Sequence, residues 1–342
     1  MNKKILFWSV ILFTLAVSFA EAQYVPPDKI IMLWDYNSGD ETQPPPENRI
    51  IPDGLDVISP TWFSLSSGEG DIFSLADSEY VAWAHNNGVK VWALLENRSD
   101  NLMTYWALFS ESKRKKIIGQ ITGFVRDYGL DGINIDFEQI KPGTGKLFEN
   151  FIVELYAQLK TMGVTLSVDI PFPLADISGV YDLALIAENS DYLVLMAYDQ
   201  HNVDSEHIGA VAAISWVKQG IEDALSRVSS DKIILGIPFF TRVWIEDSSG
   251  GILTVSSELE GMKDAYETFD KAARIWGRDR ATAQIYAEYS QGSKRYKTWL
   301  EDEHSISLKL DTINDYELAG MSAWRSGWEM PGIWDLVNSY FE

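Results

Sequence analysis

The chain contains no cysteine in its 342 residues. That excludes disulfides, thiolate metal sites, a thiol nucleophile and a lipidated N-terminal cysteine. Histidine is nearly as scarce: His85, His201, His207 and His304 are the whole supply. None stands at a ligand spacing from another, His201 and His207 are too far apart for a helical pair, and His304 reads as a surface residue at a helix start. No metal and no cofactor is expected. Positive charge is in deficit, with 28 Lys and Arg against 50 Asp and Glu, a net charge of −22 and a pI near 4.5. A basic footprint for nucleic acid is therefore missing, and anionic membranes or polyanionic wall polymers are disfavoured for the same reason. No internal repeat or interdomain linker is visible, and no Gly-rich phosphate loop follows any apolar run.

One apolar run is long, Ile5 to Ala20 after Lys3 and Lys4, but it is too short to favour a membrane span. With Ala20-Glu21-Ala22 as a small-x-small site, residues 1–22 read as a secretory signal cleaved after Ala22. An uncleaved anchor is the alternative. Export, with no stable membrane insertion after cleavage, is the expectation.

Aromatic residues are abundant, at 13% with 13 Trp and 15 Tyr. Aromatic faces stack on the apolar faces of sugars, so an acidic, Trp-rich chain leans towards carbohydrate, although most such rings serve to fill a core. From residue 23 onwards, short apolar runs alternate with helical segments. Strands are expected at Ile30–Asp35, Leu55–Ser59, Val89–Leu95, Asp131–Glu138, Val164–Ile170, Tyr192–Tyr198, Lys232–Pro238 and Leu318–Trp324. Helices are expected at Ser74–Asn87, Glu111–Tyr128, Gly145–Met162, Tyr181–Asn189, Ser215–Val228, Ser305–Tyr316 and Pro331–Phe341, with Pro44–Pro46 an extended loop. This alternation predicts parallel strands with crossover helices. Eight of them point to an α/β fold, a closed (β/α)8 TIM barrel over 23–342, with an open doubly wound sheet as the alternative. The rhythm breaks over 241–302, read as a small α+β insertion after the seventh strand. A helix at Glu258–Ala273 and a hairpin pairing Ala281–Tyr289 with Lys294–Trp299 are expected there.

The fourth strand carries the chemistry. Ile133, Ile135 and Phe137 alternate with Asn134, Asp136 and Glu138, so one face is apolar and the other ends in two carboxylates. Neighbouring acids repel, and one of them must be held protonated. The pattern suits a general acid beside a second carboxylate, against the plainer reading of a polar edge strand. Trp34, Asp35, Trp62, Glu96, Glu138, Asp169, Tyr198, Asp199, Arg242 and Trp324 fall at or past the C-terminal ends of their strands, where this architecture builds active sites.

These residues resemble glycoside hydrolase family 18, the chitinase-like barrels. The signature Asp-x-x-Asp-x-Asp-x-Glu stands here as Asp131, Asn134, Asp136 and Glu138, with Asn in place of the second Asp. Met196-Ala197-Tyr198-Asp199, Gly236 to Arg242 and Trp324 also match, so the likeness extends over nearly all of the chain beyond the signal. Within the family the chain is most similar to the spore-germination and cortical-fragment-lytic N-acetylglucosaminidase branch. That similarity rests on Ser59 to Phe63, Asp131 to Glu138, Met196 to His201 and Gly332 to Asp335.

The resemblance implies a retaining, substrate-assisted hydrolysis of β-1,4 bonds at N-acetylglucosamine in a polysaccharide or oligosaccharide. Glu138 would act as acid and then base, Asp136 would hold the 2-acetamido group, and Tyr198 would align its oxygen. Asn134 and Asp131 would support Asp136 from behind. Met196 would form the floor, Asp199 and Arg242 would contact sugar hydroxyls, and Trp324 would lie beneath the distorted sugar. Peptidoglycan ranks first as substrate and chitin oligomers second. Branch members often carry wall-binding modules ahead of the barrel, and their lack here argues mildly against peptidoglycan. Two alternatives stay open: an endo-β-N-acetylglucosaminidase acting on glycoprotein glycans, and a silent chitinase-like lectin, although such lectins typically lose the acid kept here as Glu138.

Overall fold

The computed structural model describes residues 29–36, 50–172, 174, 179–249, 251 and 253–341. The signal read at 1–22 and the Pro44–Pro46 loop lie outside the described residues. In chain order the elements are β1 (Ile30–Asp35), β2 (Val57–Leu65), β3 (Ile72–Ser74), α1 (Ser78–Asn86), β4 (Lys90–Glu96), α2 (Asn101–Leu108) and α3 (Glu111–Tyr128). Then come β5 (Gly132–Asp136), α4 (Pro142–Met162), β6 (Thr165–Ile170), α5 (Leu183–Glu188), β7 (Tyr192–Met196), α6 (Ile214–Leu225) and β8 (Ile233–Pro238). After β8 the chain runs through β9 (Phe240–Asp247), β10 (Thr254–Gly261), α7 (Met262–Ala272), β11 (Ile275–Arg278), β12 (Ile285–Gln291) and β13 (Lys294–Leu300). It ends with α8 (Glu303–Asp315), β14 (Gly320–Trp324) and α9 (Ile333–Phe341).

Strands β1, β2, β4, β5, β6, β7, β8 and β14 pair in parallel in that order, and β14 returns to β1. The result is a closed (β/α)8 barrel; the open doubly wound sheet is ruled out by the β14–β1 register, Ile30 opposite Gly320. Helix ends follow from local chemistry. Ser110 accepts the Lys113 N–H at the start of α3, and Gly129 ends that helix at φ 69°, a left-handed cap that costs glycine nothing. Asp302 and Ser305 form a reciprocal capping box at α8, beside the exposed His304.

Side-chain alternation on β5 sorts the barrel into two cores. Ile133 and Ile135 are fully buried, and Phe137 stacks on Phe151 of α4 with centroids 5.7 Å apart and planes 7° apart. Burying one such phenylalanine contributes about 2–3 kcal/mol. The even-numbered residues point inward instead, towards the barrel axis.

The segment after β8 forms a five-stranded antiparallel sheet ordered β10-β9-β13-β12-β11, with Val243, Ile245, Ala265, Phe269, Ile285, Ala287 and Leu300 as its own small core. Here one expectation needs correcting. Residues 258–261 belong to β10, pairing with β9 as Leu259 opposite Arg242, and the helix begins only at Met262. The alternation of Thr254, Val255, Ser257 and Leu259 fits a strand better than a helix turn. The short helix α2 and the strands β3, β9, β10 and β11 were not expected. Among the described residues no helix is long and apolar enough to cross a membrane.

Candidate active site

The parallel strands deliver their C-terminal ends to one mouth, and a continuous cleft runs across it. Its centre is a cavity of about 180 Å³ lined by Trp34, Asp136, Glu138, Asp169, Met196, Tyr198, Asp199, Phe240, Leu259 and Trp324. On one side it opens into a space of about 390 Å³ beside Glu138, Lys141, Phe172 and Asn202. On the other it meets a space of about 330 Å³ beside Tyr36, Trp62, Phe73, Glu96 and Asp136. Leu259 comes from β10, so the insertion forms part of the wall.

Asp136 is the last residue of β5, and Glu138 follows it at the mouth. Although Asp136 lines the cavity, its Oδ1 is sealed from solvent and has no hydrogen-bond partner. Burial, the neighbouring Glu138 and Asp169, and the more distant Glu96 together push its carboxyl well above the usual range. Asp169, at the end of β6, is likewise pushed well up by burial; a hydrogen bond from Asn134 opposes this, and Glu138 adds to it. Both acids line one cavity, and the charge of Asp169 adds to the opposition to ionising Asp136. The Tyr198 hydroxyl is raised by burial and by the four acids around it, Asp169, Asp136, Asp199 and Glu138, and so stays a donor. Its ring sits edge-on to Trp34 and Phe240.

Glu138 is held on both sides of its backbone by a residue the sequence did not flag. The fully buried Asn97 accepts the Glu138 N–H at 3.0 Å and donates to the Glu138 carbonyl at 2.8 Å. The same amide donates to Thr104 Oγ1 and accepts the Ser99 N–H. The Ser99 hydroxyl then donates to Glu138 Oε2 at 2.8 Å. Arg98 and Ser99 have φ of 55° and 51°, a left-handed pair that non-glycine residues rarely adopt. The only sequence signal was a polar residue just past the end of a strand.

The remaining expected residues divide. Met196, Asp199 and Trp324 line the central cavity, and Trp324 meets Trp34 and Tyr36 edge-on at 6.0 and 6.2 Å. Asn134 lies below the cavity, fully buried. Its oxygen accepts from Trp34 Nε1 at 3.0 Å and Ser59 Oγ at 3.4 Å, while its nitrogen donates to Ser167 Oγ at 3.0 Å and Asp169 Oδ1 at 2.7 Å. It therefore supports Asp169 rather than Asp136. Arg242 stands behind Asp199, 3.4 Å from its Oδ1, and also donates to Ser257. Asp131 is not at the mouth. It precedes β5, and its Oδ2 accepts the Val91 N–H and bonds His85 Nε2, both at 2.8 Å. Five residues of extended chain put it roughly 16 Å from Asp136, so its expected role behind that carboxyl is withdrawn. Its place in the motif reflects strand-entry bonding. Of the strand-end residues to which the resemblance gave no role, Trp62, Glu96 and Asp169 line the cleft, whereas the buried Asp35 accepts from Tyr80. Among the described residues no cluster of three His, Asp or Glu could hold a metal.

An acid at the mouth, anchored by its own backbone and set beside a carboxyl whose ionisation burial opposes, can protonate a glycosidic oxygen. A (β/α)8 barrel carrying that chemistry is a glycosidase. Residues 29–328 match the model of the glycosyl hydrolases family 18, and the protein belongs to that family. It is 23% identical over 299 residues to the uncharacterized glycosylase YvbX of Bacillus subtilis (strain 168), covering 83% of this chain and 84% of that one. To the cortical fragment-lytic enzyme of the same organism it is 25% identical over 240 residues, covering 68% of this chain and 55% of that protein, so it spans little more than half of that relative. The spore cortex-lytic enzyme SleL of Bacillus megaterium QM B1551 has the same fold, with a TM-score of 0.81 at 20% identity over 93% of this chain and 76% of that one.

Proposed function

We propose that the protein is an exported hydrolase of β-1,4 bonds at N-acetylglucosamine, with peptidoglycan as its target and chitin oligomers as the next candidate. The mechanism is retaining and substrate-assisted. The observation carrying this reading is the state of Asp136. A two-carboxylate retaining mechanism needs an ionised nucleophile, whereas burial and the nearby Glu138, Asp169 and Glu96 raise the Asp136 carboxyl and so oppose its ionisation. The nucleophile is then the substrate's own 2-acetamido oxygen.

In the first step Glu138 gives its proton to the leaving glycosidic oxygen as the acetamido oxygen bonds to the anomeric carbon. Asp136 accepts the acetamido N–H, and the Tyr198 hydroxyl aligns the attacking oxygen. In the second step the Glu138 carboxylate takes a proton from water, whose oxygen bonds to the anomeric carbon as the acetamido oxygen leaves. The β configuration is restored. Similarity to the cortical fragment-lytic enzyme favours peptidoglycan, and the signal-like start favours export.

The test is a digest of purified peptidoglycan and chitin oligomers by native protein and Glu138→Gln, with products read by mass spectrometry. Fragments ending in reducing N-acetylglucosamine are expected from peptidoglycan, with the variant about 10²–10⁴-fold slower. Cleavage of chitin oligomers alone would move the substrate, and an unchanged variant would remove Glu138 from the acid role. Mature protein retaining Lys3 would refute export by a cleaved signal.

A further inference from the structure

Arginine at the cleft is accounted for at two places and not at a third. Arg242 holds Asp199, and Arg98 offsets the charge of Glu96. Away from the cleft, Arg114, Arg227, Arg278 and Arg295 each grip a carboxylate. Arg325, the residue after the floor tryptophan Trp324, makes no ion pair or side-chain hydrogen bond among the described residues. Its guanidinium instead lies over two rings, 4.7 Å from the centroid of Tyr36 and 4.0 Å from that of Trp328. Tyr36 lines the outer part of the cleft with Glu96 and Trp324, and Trp328 packs on Phe240 of the central cavity. Asp35 acts on Arg325 only through space, its Oδ2 being engaged by Tyr80.

A guanidinium stacked over rings keeps its in-plane edge available, and that edge carries its N–H fork. No Arg325 nitrogen is among the sealed, unbonded atoms of the described residues, so the fork opens to solvent. A planar fork fixed by stacking matches a carboxylate with two parallel bonds. In a chain with 50 acidic and 28 basic residues, a guanidinium held ready beside the substrate cleft without an acid is out of keeping unless the acid comes with the ligand.

We propose that Arg325, held over the rings of Tyr36 and Trp328, reads a carboxylate on the glycan, so that the cleft prefers muramic-acid-containing chains over uncharged N-acetylglucosamine oligomers. This rests on the glycosidase reading above and deepens its substrate class. The carboxylate belongs either to the lactyl group of muramic acid freed of its peptide or to the peptide stem. Both present the same chemistry to the fork.

The experiment measures kcat/KM on four tetrasaccharides. They are an alternating N-acetylglucosamine–N-acetylmuramic acid glycan with free lactyl acid, its lactyl methyl ester, its stem-bearing form, and tetra-N-acetylglucosamine. Native protein should prefer one of the acid-bearing glycans over the ester by about 10-fold to 100-fold. The acid form that is preferred identifies the source. In Arg325→Gln the preference should collapse towards unity, and Arg325→Lys, a point charge without the fork, should keep only part of it. The comparison of acids with ester uses native protein and so survives a variant that fails to fold. Equal native rates on acids and ester, or an acid preference that persists in Arg325→Gln, would overturn the proposal. Cleavage of tetra-N-acetylglucosamine with none of the muramic glycans would refute the peptidoglycan reading itself, and this inference with it.

Discussion

Asn97→Ala separates anchoring of the acid from the acid itself. The side chain makes four hydrogen bonds: to Glu138 N–H and carbonyl, Thr104 Oγ1 and Ser99 N–H. At a net of about 0.5–1.5 kcal/mol each, they sum to about 2–6 kcal/mol of stability. The lower end applies if water enters the vacated space and pairs the stranded groups. The Glu138 backbone would lose both its restraints, and the Ser99 amide would lose the bond that fixes a left-handed turn. A misplacement of about 1 Å in a reacting group costs on the order of 10²-fold in rate. The expected result is a kcat about 10²-fold down on a soluble N-acetylglucosamine oligomer, with KM moved less than about threefold. Thermal unfolding followed by circular dichroism should shift down by several degrees. A lowered unfolding temperature with kcat intact would make Asn97 a purely structural residue. If neither changes, the four bonds are not made in solution.

Two further predictions concern buried charge. Asp169 has a carboxyl raised by burial in the folded protein, so between its ordinary pKa of about 3.9 and its folded value the native state binds more protons than the unfolded one and loses stability as pH rises. Asp169→Asn removes that loss. Its unfolding temperature should exceed the native one at neutral pH, and the gain should vanish below about pH 4; a variant less stable at neutral pH would show that the bond from Asn134 outweighs the burial. Lys309 is 1% exposed and bonds both oxygens of Glu301 at 3.0 and 2.9 Å, with Gln284 and Ser305 donating to the same carboxylate. Lys309→Met leaves that carboxylate without its cation and should cost about 3–5 kcal/mol in a urea titration, whereas a cost below about 1 kcal/mol would mean that Glu301 takes up a proton or that water replaces the lysine.

Much of this architecture was legible because barrel strands obey a period of two and their helices stop at glycines. Ile133, Ile135 and Phe137 announced a face packed on helices, and Asp136 and Glu138 a face turned to the mouth. What could not be read was contact between strands. Asp131 shares the motif with Glu138, but a strand separates positions along its length, and spacing alone does not say which end faces substrate. Asn97 follows β4 and Asp169 lies on β6, so they meet Glu138 or its neighbours only through the pairing of strands. The insertion was read as helix at Glu258 because charged residues on an exposed edge strand mask its alternation; all of Thr254, Val255 and Glu258 are exposed.

The Asn at position 134, a departure from the usual acid of the family motif, follows from this barrel's own interior. An amide offers two donors and an acceptor oxygen, and here all are used: Trp34 and Ser59 donate to the oxygen, Ser167 and Asp169 accept from the nitrogen. An aspartate at 134 would have no proton for Ser167 or Asp169 when ionised and would set a second carboxylate at hydrogen-bond distance from Asp169, in a layer sealed from water. Burial already opposes charge on Asp169 and Asp136, and a third acid would add repulsion. The neutral amide on β5 and the acid on β6 are therefore a matched pair. Asp169 can occupy this layer because Asn134 of β5, which stands opposite Ser167 in the β5–β6 register, reaches it as a donor.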